Sequence, residues 1–223
     1  MLCGMTSRPE SKARRKSPQD RRAEIVATAT RMALEIGLEQ LTLRRVAERL
    51  GVANSLVSHY FPSVDELLAE AFDAAARQEI DRVYAAAEAD PDPVRRVLEI
   101  VDDYVTGDRE RMATLWLGAW YNGRTRPALH AAVTELMNAE IGRLAALIEA
   151  GNAEGSFRAP DPVSGAIRIL AVCDGLSIQA VMRAPWDHTA ARELVYIVTE
   201  RELGLPAGTF DAARSRGGAD TPS

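Results

Sequence analysis

Cysteine and histidine are almost missing from the chain: Cys3 and Cys173 are its two cysteines, and His59, His130 and His188 its three histidines. One cysteine lies in a polar tail and the other in an apolar run, so no disulfide scaffold is expected and a reducing cytoplasm fits. Spacings among these few residues give no metal-ligand set, and neither a metal nor another cofactor is expected. The G-x-S-x-G elbow, the P-loop, the dinucleotide glycine fingerprint and H-E-x-x-H are all absent. The acidic pairs Asp102-Asp103 and Asp90/Asp92 sit as solvated faces usually do. A catalytic reading therefore has little to stand on. Alternating β-branched runs between Asn-Gly or Asp-Gly turns are also lacking, which excludes a β fold. Residues 1–16 hold no apolar stretch of a secretory signal. The longest uncharged apolar run, around 169–172, is far short of a bilayer span, so no membrane partner is expected.

What is present is ordinary soluble composition, 47% hydrophobic and 26% charged over 223 residues, enough for one large core or two small ones. The net charge of −5 conceals a skew: residues 1–62 carry +5 and residues 63–223 carry −10. A small basic region on an acidic body points to one segment that meets a polyanion.

Helical periodicity dominates. Ile25, Ala29, Met32 and Ile36 form one stripe, preceded by Ser17-Pro18-Gln19-Asp20 as a start signal and followed by Gly37 as a stop. Thr42 caps a shorter helix with Leu43, Val46, Ala47 and Leu50 inward, ended by Gly51. A third runs over about 54–60, closed by Phe61-Pro62. Ser63 and Glu66 read as a capping box opening a long helix to about 89. Further helices are expected over roughly 93–105, 109–124, 127–151, 161–183 and 189–203. The expectation is an all-α chain of about nine helices. It divides into a disordered basic tail (1–16), a helix-turn-helix unit (17–62), a regulatory and dimerisation body (63–206) and a disordered tail (207–223).

The second and third helices carry the functional signal. Counting from Leu43, a small residue (Ala47) falls fifth, glycine (Gly51) ninth and Val57 fifteenth. A small side chain lets the third helix cross closely, and glycine takes the positive φ of the sharp turn. That is the helix-turn-helix pattern, whose second helix enters the major groove. Residues 21–68 resemble the DNA-binding domain of TetR-family repressors. The likeness lies in Leu41-Thr42-Leu43-Arg44-Arg45-Val46-Ala47, Gly51-Val52 and His59-Tyr60-Phe61-Pro62-Ser63. Leu56-Val57-Ser58-His59-Tyr60-Phe61, Leu115-Trp116-Leu117-Gly118-Ala119-Trp120 with Arg126-Pro127, and Asp174-Gly175-Leu176 are most similar to its betaine-pathway, BetI-like branch. Ala53 stands where the family's third helix opens on Ser or Thr, which passes the cap to Asn54.

The resemblance implies a ligand-responsive repressor that binds a palindromic double-stranded operator as a homodimer. Arg44, Asn54 and Ser55 are the candidate base-edge readers, and Thr42, Arg45, Ser58, His59 and Tyr60 the candidate phosphate contacts. For Tyr60 a core position is the alternative. The nearly uncharged stretch 163–182, with the final long helix, is expected to form the dimer seam. Met112, Trp116 and Trp120 share one helix face at i, i+4, i+8, flanked by Tyr121, and Asp174 interrupts the apolar run. These five are the candidate walls of an inducer pocket. Aromatic faces plus one acid suit a cation such as a quaternary ammonium compound, against the alternative that both tryptophans are simply core. A helical interaction module without DNA, or a small helical enzyme, remains open at this point.

Overall fold

The structure, a computed structural model, describes residues 17–107, 109–182 and 189–217. Within them it has ten α-helices, one 3-10 turn and no strand: α1 (Pro18–Ile36), the turn (Leu38–Gln40), α2 (Leu43–Leu50), α3 (Asn54–Tyr60), α4 (Val64–Glu88), α5 (Pro93–Thr106), α6 (Glu110–Gly123), α7 (Pro127–Ala153), α8 (Pro162–Val181), α9 (Thr189–Glu202) and α10 (Thr209–Gly217). That is one α-helix more than the periodicity gave.

Local chemistry sets most boundaries. Ser17 Oγ accepts from the Asp20 N–H while the Asp20 carboxylate accepts from the Ser17 N–H, with Pro18 at the first helical position. Thr42 Oγ1 accepts from the Arg45 N–H at 3.1 Å. Gly51 ends α2 at φ 67°, where a Cβ would meet nothing, so glycine is required for the backbone conformation rather than for room. Two expected caps differ. Ala53, not Asn54, is the N-cap of α3 and makes no side-chain bond, so Asn54 is the first helical residue. Ser63 caps α4 through the Asp65 N–H at 3.0 Å rather than through a box with Glu66.

The Asp65 carboxylate has a longer reach. It accepts from the N–H groups of Ala128 and Leu129, at 3.0 and 3.4 Å, at the start of α7. Arg126, the N-cap of α7, gives no side-chain cap of its own, so α4 supplies it across space. Asp65→Ala should cost about 0.5–2 kcal/mol, a shift of a few degrees in a thermal melt. Asp65→Asn keeps an acceptor and should recover most of that.

Two apolar clusters share α4. The first joins Ile25, Ala29, Val46, Val57 and Phe61 of the N-terminal helices to Leu67 through Ala76 of α4, Leu115 and Ala119 of α6, and Leu129, Val133 and Leu136 of α7. The second joins Val83, Tyr84 and Ala87 of α4 to α5, the later part of α7, and α8 to α10. Ile80 packs against both. The helix-turn-helix unit therefore has its core closed by the body and crosses the line drawn at 62/63.

Residues 209–217 are helical, not disordered as their composition implied. Buried Glu200 accepts from the Gly208 N–H at 2.9 Å and the Phe210 N–H at 2.8 Å, fixing the turn into α10. Phe210 and Ala213 are buried there, and Arg214 donates to Asp102 at 2.8 Å. The tails 1–16 and 218–223 lie outside the described residues. By length and composition α8 is apolar enough to cross a bilayer, contrary to the reading from its shorter runs. Here Gly165, Ala166, Ile169, Leu170, Cys173 and Leu176 are instead buried against protein, and Arg168 and Asp174 interrupt it.

Candidate functional site

Val46 and Val57 are fully buried at the α2–α3 joint and Ala47 is nearly so, with Leu43, Leu50 and Val52 half-buried around them. This packing turns the polar residues outward. Thr42, Arg44, Arg45, Asn54, Ser55 and His59 are exposed, while Ser58 and Tyr60 are half-buried. Arg44 Nε donates to Glu48 at 2.8 Å, with both side chains mostly solvated. Such a surface pair contributes little, so the guanidinium is available to a competing anion. Arg45 donates to the carbonyl and side-chain oxygens of Gln40, at 2.9 and 2.8 Å. The His59 and Tyr60 rings meet edge-on at 5.3 Å, and Tyr60 also packs against the N-terminal cluster. Arg14, Arg15 and Lys16, candidate tail contacts, lie outside the described residues.

The second candidate site is a small cavity between α5, α6, α7 and α8. Trp116, Trp120 and Asp174 line it together. Met112 is half-buried against the N-terminal cluster and does not line it, and Tyr121 is 70% exposed at the surface. Met137 lines the cavity as well, whereas Tyr84 is fully buried in the core with its hydroxyl unpartnered. The free volume is about 30 Å³, room for only a few waters, so a larger occupant requires side chains to move. Two indole faces form one wall, their centroids 5.7 Å apart.

Sequence reasoning missed three polar residues here: Tyr104, Arg109 and Glu140. The Tyr104 hydroxyl donates to Glu140 at 2.8 Å. Arg109 lies over the Tyr104 ring at 4.0 Å and is bonded to Asp103, with Glu79 at 3.8 Å. Burial pushes the Asp174 carboxyl up to about 7, helped by the neighbouring charge of Glu140 and opposed by Arg109. Burial also raises Glu140, although the Tyr104 hydrogen bond pulls it down. A usable signal for Glu140 existed. It falls in register with Leu129, Val133, Leu136, Leu144 and Ile148, the buried stripe of α7, and an acid on a core stripe needs a partner or a ligand. Tyr104 and Arg109 offered none, because an ordinary helical tyrosine and a helix-flanking arginine look alike wherever they occur.

The cavity wall is also a wall of the helix-turn-helix core. Trp116 meets Phe72 of α4 edge-on at 4.8 Å, and Gly118 faces Leu38 and Glu39 of the 3-10 turn that leads into α2. On its other side, past Trp120 and Met137, the cavity adjoins an open groove of about 610 Å³ at the α6–α7 corner. Among the described residues no group of three His, Cys, Asp or Glu side chains is placed to hold a metal ion.

Comparison with known proteins adds to this geometry. The family described as bacterial regulatory proteins, tetR family, matches residues 25–71, and the BetI-type transcriptional repressor C-terminal family matches residues 93–204. The HTH-type transcriptional regulator BetI of Burkholderia thailandensis is 30% identical over 78% of this chain and 89% of its own length. The regulator PksA of Bacillus subtilis is 26% identical over 74% and 80%. A crystal structure of a transcriptional regulator from Saccharomonospora viridis in complex with choline superposes with a TM-score of 0.69 at 24% identity, covering 82% of this chain and 96% of that one. These relatives are regulators, not enzymes.

Proposed function

We propose, from the premise that the chain belongs to the TetR family of DNA-binding transcriptional regulators with a C-terminal part of the BetI type, that it is a repressor released from its operator by an organic cation. Members of this family bind operators, dimerise and bind small molecules. The division of labour we assign is DNA binding to 17–62 and ligand binding and dimerisation to 63–206, acting in the cytoplasm.

The observation that carries the ligand class is the placement of Asp174 and Glu140 in one cavity with the Trp116 and Trp120 rings. The arginine that also lines it is already engaged by Asp103 and Glu79. A cation there is attracted by carboxylates and by ring faces together. The choline complex of the Saccharomonospora viridis regulator supports a quaternary ammonium compound of that kind. Met112 and Tyr121 take no part in this reading.

For the dimer, Val163 and Ile167 of α8 and Leu194 and Ile197 of α9 leave large apolar side chains in solvent. We assign this seam to a four-helix bundle between two subunits. Two-fold symmetry then places the two α3 helices on half-sites about 34 Å apart or a multiple of that. The ligand acts by favouring a different spacing. Its packing against Trp116 reaches Phe72 on α4 and, through α6, the turn before α2. Coupling is reciprocal, so operator DNA must weaken the ligand by the factor the ligand weakens DNA.

On the DNA side, Asn54, Ser55 and Arg44 read bases, and Thr42, Arg45, Ser58, His59 and Tyr60 hold the backbone. Asn54→Ala should cost roughly 1–3 kcal/mol on the operator and relax one or two base positions, whereas Arg45→Ala should weaken all sequences alike and flatten the salt dependence. Footprinting on the DNA flanking its own gene, with and without choline, tests the whole reading. Protection of a palindrome that choline removes is the expected result. A ligand that quenches tryptophan fluorescence yet leaves the footprint intact would sink the inducer role.

A further inference from the structure

The groove at the α6–α7 corner differs in charge from the cavity it adjoins. Two side chains, Trp120 and Met137, are shared by both linings. Behind them the inner cavity holds the carboxylates of Glu140 and Asp174. In front of them the groove's ionisable residues are Arg124, Arg126 and His130, and no carboxylate lines it. Three basic side chains without an acid are out of character for a body whose residues 63–223 carry a net −10. Nor does the fold occupy them, since no hydrogen bond or ion pair engages the side chains of Arg124, Arg126 or His130 among the described residues. The free N–H groups at the start of α7, which would otherwise attract an anion, are capped by Asp65. An anion reaching this groove therefore has the side chains, not the helix end, as its partners.

Charge of opposite sign on the two sides of one shared wall selects a ligand with both signs. We infer that the groove is an anion subsite, and that the ligand this regulator senses best is a zwitterion. Its quaternary ammonium end would lie in the inner cavity, and its carboxylate or phosphate end on Arg124 and Arg126, with the linker passing Trp120 and Met137. The inference rests on the cation reading of the cavity and adds the second end. Arginine matches both candidate anions, because its planar fork offers two parallel donors to a carboxylate or a phosphate. An aliphatic linker suits the passage, since the indole and the thioether are its apolar walls.

Two ligand series test it by calorimetry on the full-length dimer: trimethylammonio alcohols and trimethylammonio carboxylates of increasing, matched chain length, with phosphocholine as the phosphate arm. At one chain length the carboxylate should bind about tenfold or more tighter than its matched alcohol, the size expected of a charge-assisted hydrogen bond. A gain confined to phosphocholine identifies phosphate as the anion and equally supports the subsite. The ratio of the two affinities should fall toward one in Arg124→Gln and in Arg126→Gln, and survive in the Lys variants. Alcohols that bind while carboxylates and phosphocholine at every length bind no tighter would overturn the anion subsite and leave the cation reading standing. Failure of all the series to bind would overturn both.

Discussion

Ile167→Glu combined with Ile197→Glu is expected to turn the dimer into monomers and to abolish tight operator binding. Both side chains are apolar and largely in solvent in the single subunit, at 47% and 59% exposure, so the substitutions cost the monomer little. In the proposed seam they would place carboxylates in an interface that excludes water, where unpaired charge is strongly unfavourable. Light scattering at micromolar concentration should report the monomer mass, and circular dichroism should remain that of the wild type. Loss of the second half-site removes the avidity of a linked pair, a factor of about 10²–10⁴. A variant that stays dimeric would place the interface elsewhere than α8 and α9.

Asp174→Asn should have two effects of opposite sign. The Asp174 carboxyl, held near 7 by burial and by Glu140, takes up a proton on folding at pH values where the unfolded chain has already lost it. The native state then binds more protons than the unfolded one, and the Asp174 contribution to stability falls as pH rises from about 4 to about 7. The amide removes that slope, so the variant should melt higher than the wild type at pH 8. Ligand affinity moves the other way. Under the proposed cation site, removing this carboxylate should cost about 2–5 kcal/mol, or roughly 30- to 5,000-fold. In the wild type, cation affinity should rise with pH through about 7 as Asp174 ionises, and binding below that pH should release a proton. A variant more stable than the wild type yet indifferent to ligand separates this role from a packing role, which would lower both. Unchanged choline affinity would remove Asp174 from the site.

The parts of this protein that are legible in its sequence are those in which cause and effect lie close together in the chain. The helix-turn-helix reads from a small residue, a glycine and buried valines within fifteen positions, because a sharp turn between two short helices has few solutions. The start of α1 reads from Ser17-Pro18-Gln19-Asp20 for the same reason: the capping atoms are neighbours in sequence. The shared face of Trp116 and Trp120 follows from helical spacing, and Asp174 stood out as an acid in an apolar run.

The rest was decided at a distance. Polar composition argued against a helix at 209–217, yet Glu200, from α9, holds its first N–H groups and Phe210 buries its ring against Tyr196. Asp65 lies in the first turn of α4, and only the approach of α7 makes it a cap for another helix. Met112 shares the face of Trp116 and Trp120, but packing sent it toward the N-terminal core, while Tyr121 was left in solvent. Glu140 and Tyr104 form a buried pair from positions 36 residues apart. Sequence alone determined the first nine helical stretches, where the recognition unit lies and which residue types carry charge. The crossing of the helices decided which carboxylates lose their water and meet each other, because desolvation and mutual approach are properties of the packed state and have no counterpart along the chain.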